Sequence, residues 1–193
     1  MILTTGIMAC TAGGKEAAST PMPAPTLTPT PVPANETDEV VVFLDSCLEM
    51  RVRKAIDRPI GDIYRSDLEK ITSLDGSICN IKDLSGLEYC TNLAELTLHS
   101  NQVTDITPLS NLTAMKGLNL QDNRIEDISA LSGLTNLNRL YLTKNQVSDI
   151  SALIENNGLS EGDTVDLKEN PLSETSLKDY IPQLFQRGIK LRW

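Results

Sequence analysis

The chain has 193 residues, 40% of them apolar but only 4% aromatic, and a formal charge of −9. That composition fits one domain of ordinary size with an aliphatic core. The acidic balance and the lack of a long Lys/Arg run exclude phosphate-neutralising nucleic-acid binding and charge-driven attachment to anionic lipid, and no apolar stretch reaches the ~18 residues of a membrane helix.

Residues 1–10, "MILTTGIMAC", end in Ile7-Met8-Ala9-Cys10. These four residues resemble a bacterial lipobox, which implies cleavage before Cys10 and lipidation of that cysteine; no Lys or Arg precedes the apolar run. Residues 11–38 carry six of the ten prolines, between Pro21 and Pro33, interleaved with Thr. Such a stretch cannot bury a core and is expected to extend as a polyproline II stalk at roughly 3 Å per residue. Lipid and stalk together predict an extracytoplasmic, membrane-anchored lipoprotein at the cell surface, touching the membrane only through Cys10.

The folded domain is expected from about Glu39 to Trp193. Over 39–70 the pattern predicts a helical cap. Ser46 followed by Glu49 fits a capping box, Leu48, Val52 and Ile56 share one helical face, and Pro59 ends the pattern. A second box, Ser66 with Glu69, opens a short helical turn.

From 71 to 172 the sequence repeats. "LAELTLHSNQVTDITPLSNLTA" begins at Leu93, "MKGLNLQDNRIEDISALSGLTN" at Met115 and "LNRLYLTKNQVSDISALIENNG" at Leu137. A degenerate copy starts at Ile71, and "VDLKENPL" resumes the register after a three-residue insertion. Apolar residues two and three apart, at a fixed 22-residue period, fit neither one helix nor one strand. They fit a chain turning corners round a shared core, an α/β solenoid of about five coils with short parallel strands. Asn101, Asn123, Asn145 and Asn170 occupy one position in successive coils. An interior amide is tolerable only when donor and acceptor are both bonded, so they are expected to form a ladder to backbone groups of their own and adjacent coils. Cys79 stands at this position in the first copy and Cys90 in a leucine column, so both are expected in the core. Spacing alone assigns no disulfide among Cys47, Cys79 and Cys90.

The repeats, with "NQVTDITPLSNL" and "NRIEDISALSGLTNL", resemble bacterial leucine-rich-repeat proteins of the internalin type, and also regulatory subunits of protein phosphatase 1 with the same repeat length. The resemblance implies a leucine-rich-repeat fold and binding through a concave strand face rather than catalysis.

In that geometry Glu95, Thr97, His99, Asn119, Gln121, Arg139, Tyr141 and Thr143 lie at the centre of the concave face. The expected ligand is a protein, peptide or glycan, with no cofactor, metal or nucleic acid. Five strands span about 20–25 Å, so the contact is expected to be weak or dependent on avidity. Asp83, Asp105, Asp127 and Asp149 form a second column, and each precedes a short turn whose free N–H groups its carboxylate can cap. His99 is the single histidine, and no phosphate-binding glycine loop occurs, so the chain does not read as an enzyme. A structural role in the cell envelope and an intracellular phosphatase-regulator-like scaffold are the alternative readings. Residues 173–193 are expected to close the solenoid with a helix bearing Leu177, Leu184 and Phe185, a stop at Gly188, and a strand in "IKLRW".

Overall fold

A computed structural model describes residues 38–193; Cys10 and all of the expected stalk except Asp38 lie outside the described residues. Six three-residue strands form one parallel sheet in sequence order: β1 (Ser73–Asp75), β2 (Glu95–Thr97), β3 (Gly117–Asn119), β4 (Arg139–Tyr141), β5 (Thr164–Asp166) and β6 (Lys190–Arg192). The register preserves the repeat, with Leu74, Leu96, Leu118, Leu140, Val165 and Leu191 side by side. The architecture is a leucine-rich-repeat solenoid.

Each coil runs through the same sequence of events. After the strand, one residue turns the corner in the left-handed region: Ser100, Asp122, Lys144 and Glu169 have φ of 57°, 54°, 61° and 56°. The ladder Asn follows at once. The Asn123 side chain accepts from Val103 N–H at 3.0 Å and donates to the carbonyls of Leu98 at 2.9 Å and Leu120 at 3.0 Å. Asn145 repeats this with Ile125, Leu120 and Leu142, and Asn170 with Val147, Leu142 and Leu167. Each amide thus bonds two coils and leaves no interior polar group of its own unpaired.

The return limb opens with the aspartate column. Asp83, Asp105, Asp127 and Asp149 accept from the N–H two residues on, at 2.7–2.8 Å. A 3-10 turn then follows in three coils (Leu87–Tyr89, Thr107–Leu109, Ser129–Leu131) and an α-helical turn, α3 (Ser151–Glu155), in the fourth. Ile106, Leu109 and Leu112, with their counterparts one period on, fill the interior beneath the strands and are essentially inaccessible. No coil can bury these side chains alone; the neighbour above and below supplies the other half of the contact.

At the N-terminal end, α1 (Ser46–Ala55) covers the first coil with Leu48 and Val52, both fully buried. Its N-cap is Asp45 and not Ser46: the Asp45 carboxylate accepts from Cys47 and Leu48 N–H. Its second oxygen takes Lys82 N–H at 3.0 Å, so the cap residue also fastens the helix to the first coil. A serine hydroxyl has no second oxygen for that link. Glu49 pairs with Arg53 one turn on instead of closing a capping box. The second helical turn, α2 (Arg65–Leu68), likewise starts one residue earlier than Ser66. Asp67 accepts from Tyr64 N–H, and Glu69 pairs with Arg65.

Cys47 and Cys79 form a disulfide, with Cα atoms 6.1 Å apart, so Cys79 is half-buried and bonded rather than a plain core residue. The reason lies in its column. An Asn at position 79 would have no preceding coil to bond, and the cysteine joins the cap covalently at the rung where the ladder runs out. Cys90, in its leucine column, is fully buried.

At the C-terminal end the apolar face differs from the expected one. Ser176–Tyr180 winds as a wider π-type turn into α4 (Ile181–Gln186), which shifts the inward face to Ile181 and Leu184 and leaves Leu177 and Phe185 outside. The helix stops at Gly188, whose φ of +79° suits glycine, and the chain reverses into β6. Asn156 replaces a leucine of the repeat column. Its amide donates to the carbonyls of Leu131 and Leu134 from a fully buried position. Arg187 then donates to the carbonyls of Leu153, Ile154 and Asn156, satisfying the free end of α3.

Candidate binding surface

The strand alternation decides which side chains face outward. In β2–β4 the central leucine is buried, and its neighbours project to the concave side. Pairing aligns Ser73, Glu95, Gly117, Arg139, Thr164 and Lys190 in one row. Asp75, Thr97, Asn119, Tyr141, Asp166 and Arg192 make the next. His99, Gln121 and Thr143 continue outward beyond the strands, where Ser100 and Asp122 N–H still bond to the carbonyls of Gln121 and Thr143.

The centre of the face is a shallow depression of 130 Å³ lined by Glu95, Thr97, Gly117, Asn119, Arg139 and Tyr141. Arg139 Nη2 reaches Glu95 Oε1 at 2.5 Å although two strand spacings separate them. Gly117 lies between, and a β-carbon there would run into the Glu95 carboxylate. The missing side chain is what lets a β2 acid and a β4 base meet. Asn119 is partly committed, since its Oδ1 accepts from Gln121 N–H at 3.2 Å. His99 stands apart from the depression with Nδ1 3.3 Å from Ser100 Oγ. Tyr141 is the one aromatic on the two strand rows, and with Arg139 it belongs to the residue types that usually carry interface energy.

The flanks of the face carry their own ion pairs. Asp75 is held below the ordinary carboxylate value by the Ser77 hydroxyl and N–H, against a burial effect, with Arg51 of α1 contributing. At the outer corner Lys144 pairs with Asp122 at 2.6 Å; that bond lowers the Asp122 carboxyl and raises the Lys144 ammonium.

Burial, with a smaller effect of Glu88, pushes the Cys90 thiol up to about 12, which makes it a poor nucleophile. Among the described residues no group of three or more His, Cys, Asp or Glu side chains is arranged to hold a metal. Nor is any helix among them long and apolar enough to cross a membrane.

Sequence reasoning stopped the face at β5. The structure extends it with Lys190 and Arg192 of β6, which pair with Thr164 and Asp166. The signal was present in "KLRW", a polar-Leu-polar-apolar strand motif. Its separation from β5 exceeds the repeat period because the closing helix intervenes.

A family model described as Leucine Rich repeats (2 copies) matches residues 113–155. The crystal structure of an internalin, InlF, from Listeria monocytogenes is 34% identical, with a TM-score of 0.68 over 78% of this chain and 43% of that one. The functional domain of InlJ from Listeria monocytogenes is 23% identical with a TM-score of 0.56, over 70% of this chain and 39% of that one, a likeness of fold alone. The chain therefore spans less than half the length of either structure. The repeat model and the InlF match agree with the stacked coils described above: the chain is a leucine-rich-repeat protein similar to the bacterial internalins.

Proposed function

We propose that the domain is a non-enzymatic binding module that takes a protein, peptide or glycan on its concave face, and that it works outside the cell, anchored by a lipid on Cys10. One observation carries the reading of the face: six strands in unbroken register present two rows of outward side chains around the Glu95–Arg139–Tyr141 depression. Such a row is a ready binding surface because the paired strands fix its backbone in advance, so little backbone ordering entropy is lost on contact.

The extracellular half of the reading draws on the Cys47–Cys79 bond. Structural disulfides persist in oxidising compartments and are rare in the cytosol, which weighs against an intracellular phosphatase-regulator role. The residues that would carry the lipid and the stalk lie outside the described region.

Arg139→Glu combined with Tyr141→Ala tests the face. The double variant should keep the parental circular dichroism and melting temperature while losing at least tenfold in affinity for the ligand that the parent captures. Capture at parental strength would move the site off this face. Mass spectrometry of the mature N-terminus tests the anchor, with a diacylglyceryl mass on Cys10 expected and an unmodified chain decisive against it.

A further inference from the structure

Charge is unevenly distributed along the face. In β1–β3 the two outward carboxylates are both answered from within the chain: Asp75 by Ser77 and Arg51, Glu95 by Arg139. In β5 and β6 the balance is reversed. Lys190 and Arg192 of β6, and Lys168 two residues past β5 beside the exposed corner acid Glu169, are exposed, while Asp166 is only 6% exposed. That carboxylate is already used, accepting from Lys168 N–H at 3.2 Å and pairing with Arg192 at 3.4 Å. Among the described residues neither Lys168 nor Lys190 has a salt-bridge partner. A chain with a formal charge of −9 thus gathers exposed cations at one end of its concave sheet.

We infer that the C-terminal half of the face, Lys168, Lys190 and Arg192 beside Arg139, is a docking site for an acidic peptide segment of a partner protein. The inference rests on the concave-face reading and specifies the chemistry of its ligand. Pairing places Lys190 two strands from Arg139 in the first row, about 10 Å away at the usual strand spacing. Arg192 and Lys168 sit diagonally across β5 and β6. Carboxylates spread along a segment crossing the strands meet Lys168 and Lys190 unpaired, while Arg139 and Arg192 keep guanidinium N–H groups beyond their single contacts to Glu95 and Asp166.

Net charge sharpens the selection. With a formal charge of −9 the chain repels an acidic partner at long range, so the unpaired Lys168 and Lys190 bias the orientation in which such a partner docks on the face. A peptide fits better than an anionic glycan, because Tyr141 of β4 is the one ring beside this array and gives a sugar a single stacking surface.

The test titrates the full chain, labelled for amide NMR, with three probes: a twelve-residue alternating Glu-Ser peptide, its Gln-Ser counterpart, and a uronate oligosaccharide. The acidic peptide should move amides of β4–β6, should bind at least tenfold better than the Gln-Ser peptide, and should weaken steeply with added salt. Lys168→Glu with Lys190→Glu should abolish the shifts with melting unchanged, whereas Lys168→Arg with Lys190→Arg should retain them. The absence of localised shifts with the acidic peptide, shifts indifferent to the Lys→Glu pair, or binding of the uronate in preference to the peptide would each overturn the inference. If capture of the parent's ligand is still lost on Arg139→Glu with Tyr141→Ala but is indifferent to the Lys→Glu pair, the concave-face reading survives and only the acidic preference fails.

Discussion

Between Leu93 and Leu153 the same kind of side chain meets the same kind of neighbour once per coil. At the two ends almost no contact occurs twice. The middle coils depend on residues whose partners lie one period away: a leucine on a leucine, an Asn amide on two successive backbones. An end coil lacks one of those neighbours, so each exposed group needs its own remedy. At one end these are the Asp45 carboxylate and the Cys47–Cys79 bond; at the other, Asn156 and the Arg187 guanidinium. Periodicity therefore fixes the middle, and single residues with no counterpart fix the ends.

The contrast can be broken first at its strongest point. Asn123→Leu removes an acceptor from Val103 N–H and a donor from the Leu98 and Leu120 carbonyls. Val103 N–H is stranded outright at ~1–3 kcal/mol, while the Leu98 and Leu120 carbonyls keep the amides of Asn101 and Asn145 and each lose one bond worth ~0.5–1.5 kcal/mol, so the loss should be about 2–6 kcal/mol. Calorimetry should show the melting temperature falling by roughly 10 °C or more for a domain of this size. An unchanged transition would mean that the backbone groups of these coils find other partners and that leucine packing alone holds the stack.

The next effect belongs to the N-terminal end. Cys47→Ser with Cys79→Ser opens a link across a sequence separation of 32, which the chain-entropy account values at about 3.7 kcal/mol. The location of the loss matters more than its size. If the cap is held by its own device, hydrogen exchange should quicken in α1 and β1 while β3 and β4 stay protected. Uniform quickening would show that cap and coils unfold as one unit and would erase the distinction drawn here.

The same contrast explains how much the sequence disclosed. The strand columns, the Asn positions and the aspartate turns recur every 22 residues, so a pattern at one coil is checked by the next. Ser46 against Asp45 as N-cap had no second copy to arbitrate. Ser, Asp and a following Glu all satisfy local capping rules, and the choice was made by a tertiary bond to Lys82. The inward face of the last helix failed for a similar reason. A wide turn at Ser176–Tyr180 rotates Leu177 and Phe185 outward, and a helical period of 3.6 carries no trace of it. On the concave face, the rows were legible from alternation. The Glu95–Arg139 contact across Gly117 was not, because it depends on a side chain that is missing.

The smallest expected effect is a gain, and it too sits where the repeat ends. Ile78 occupies the corner that Ser100, Asp122, Lys144 and Glu169 occupy in later coils, with φ of 53°. A β-branched side chain is poorly suited to the left-handed region, whereas Asn tolerates it. Ile78 is 74% exposed, so little apolar burial offsets that strain. Its backbone N–H still donates to His99 C=O at 3.0 Å, a bond that any residue in this conformation keeps. Ile78→Asn should therefore stabilise the domain by about 1 kcal/mol, raising the melting temperature by roughly 2–4 °C. A variant that melts below the parent would mean that the Ile78 side chain has packing worth more than the strain, and that this corner is held as the interior coils are.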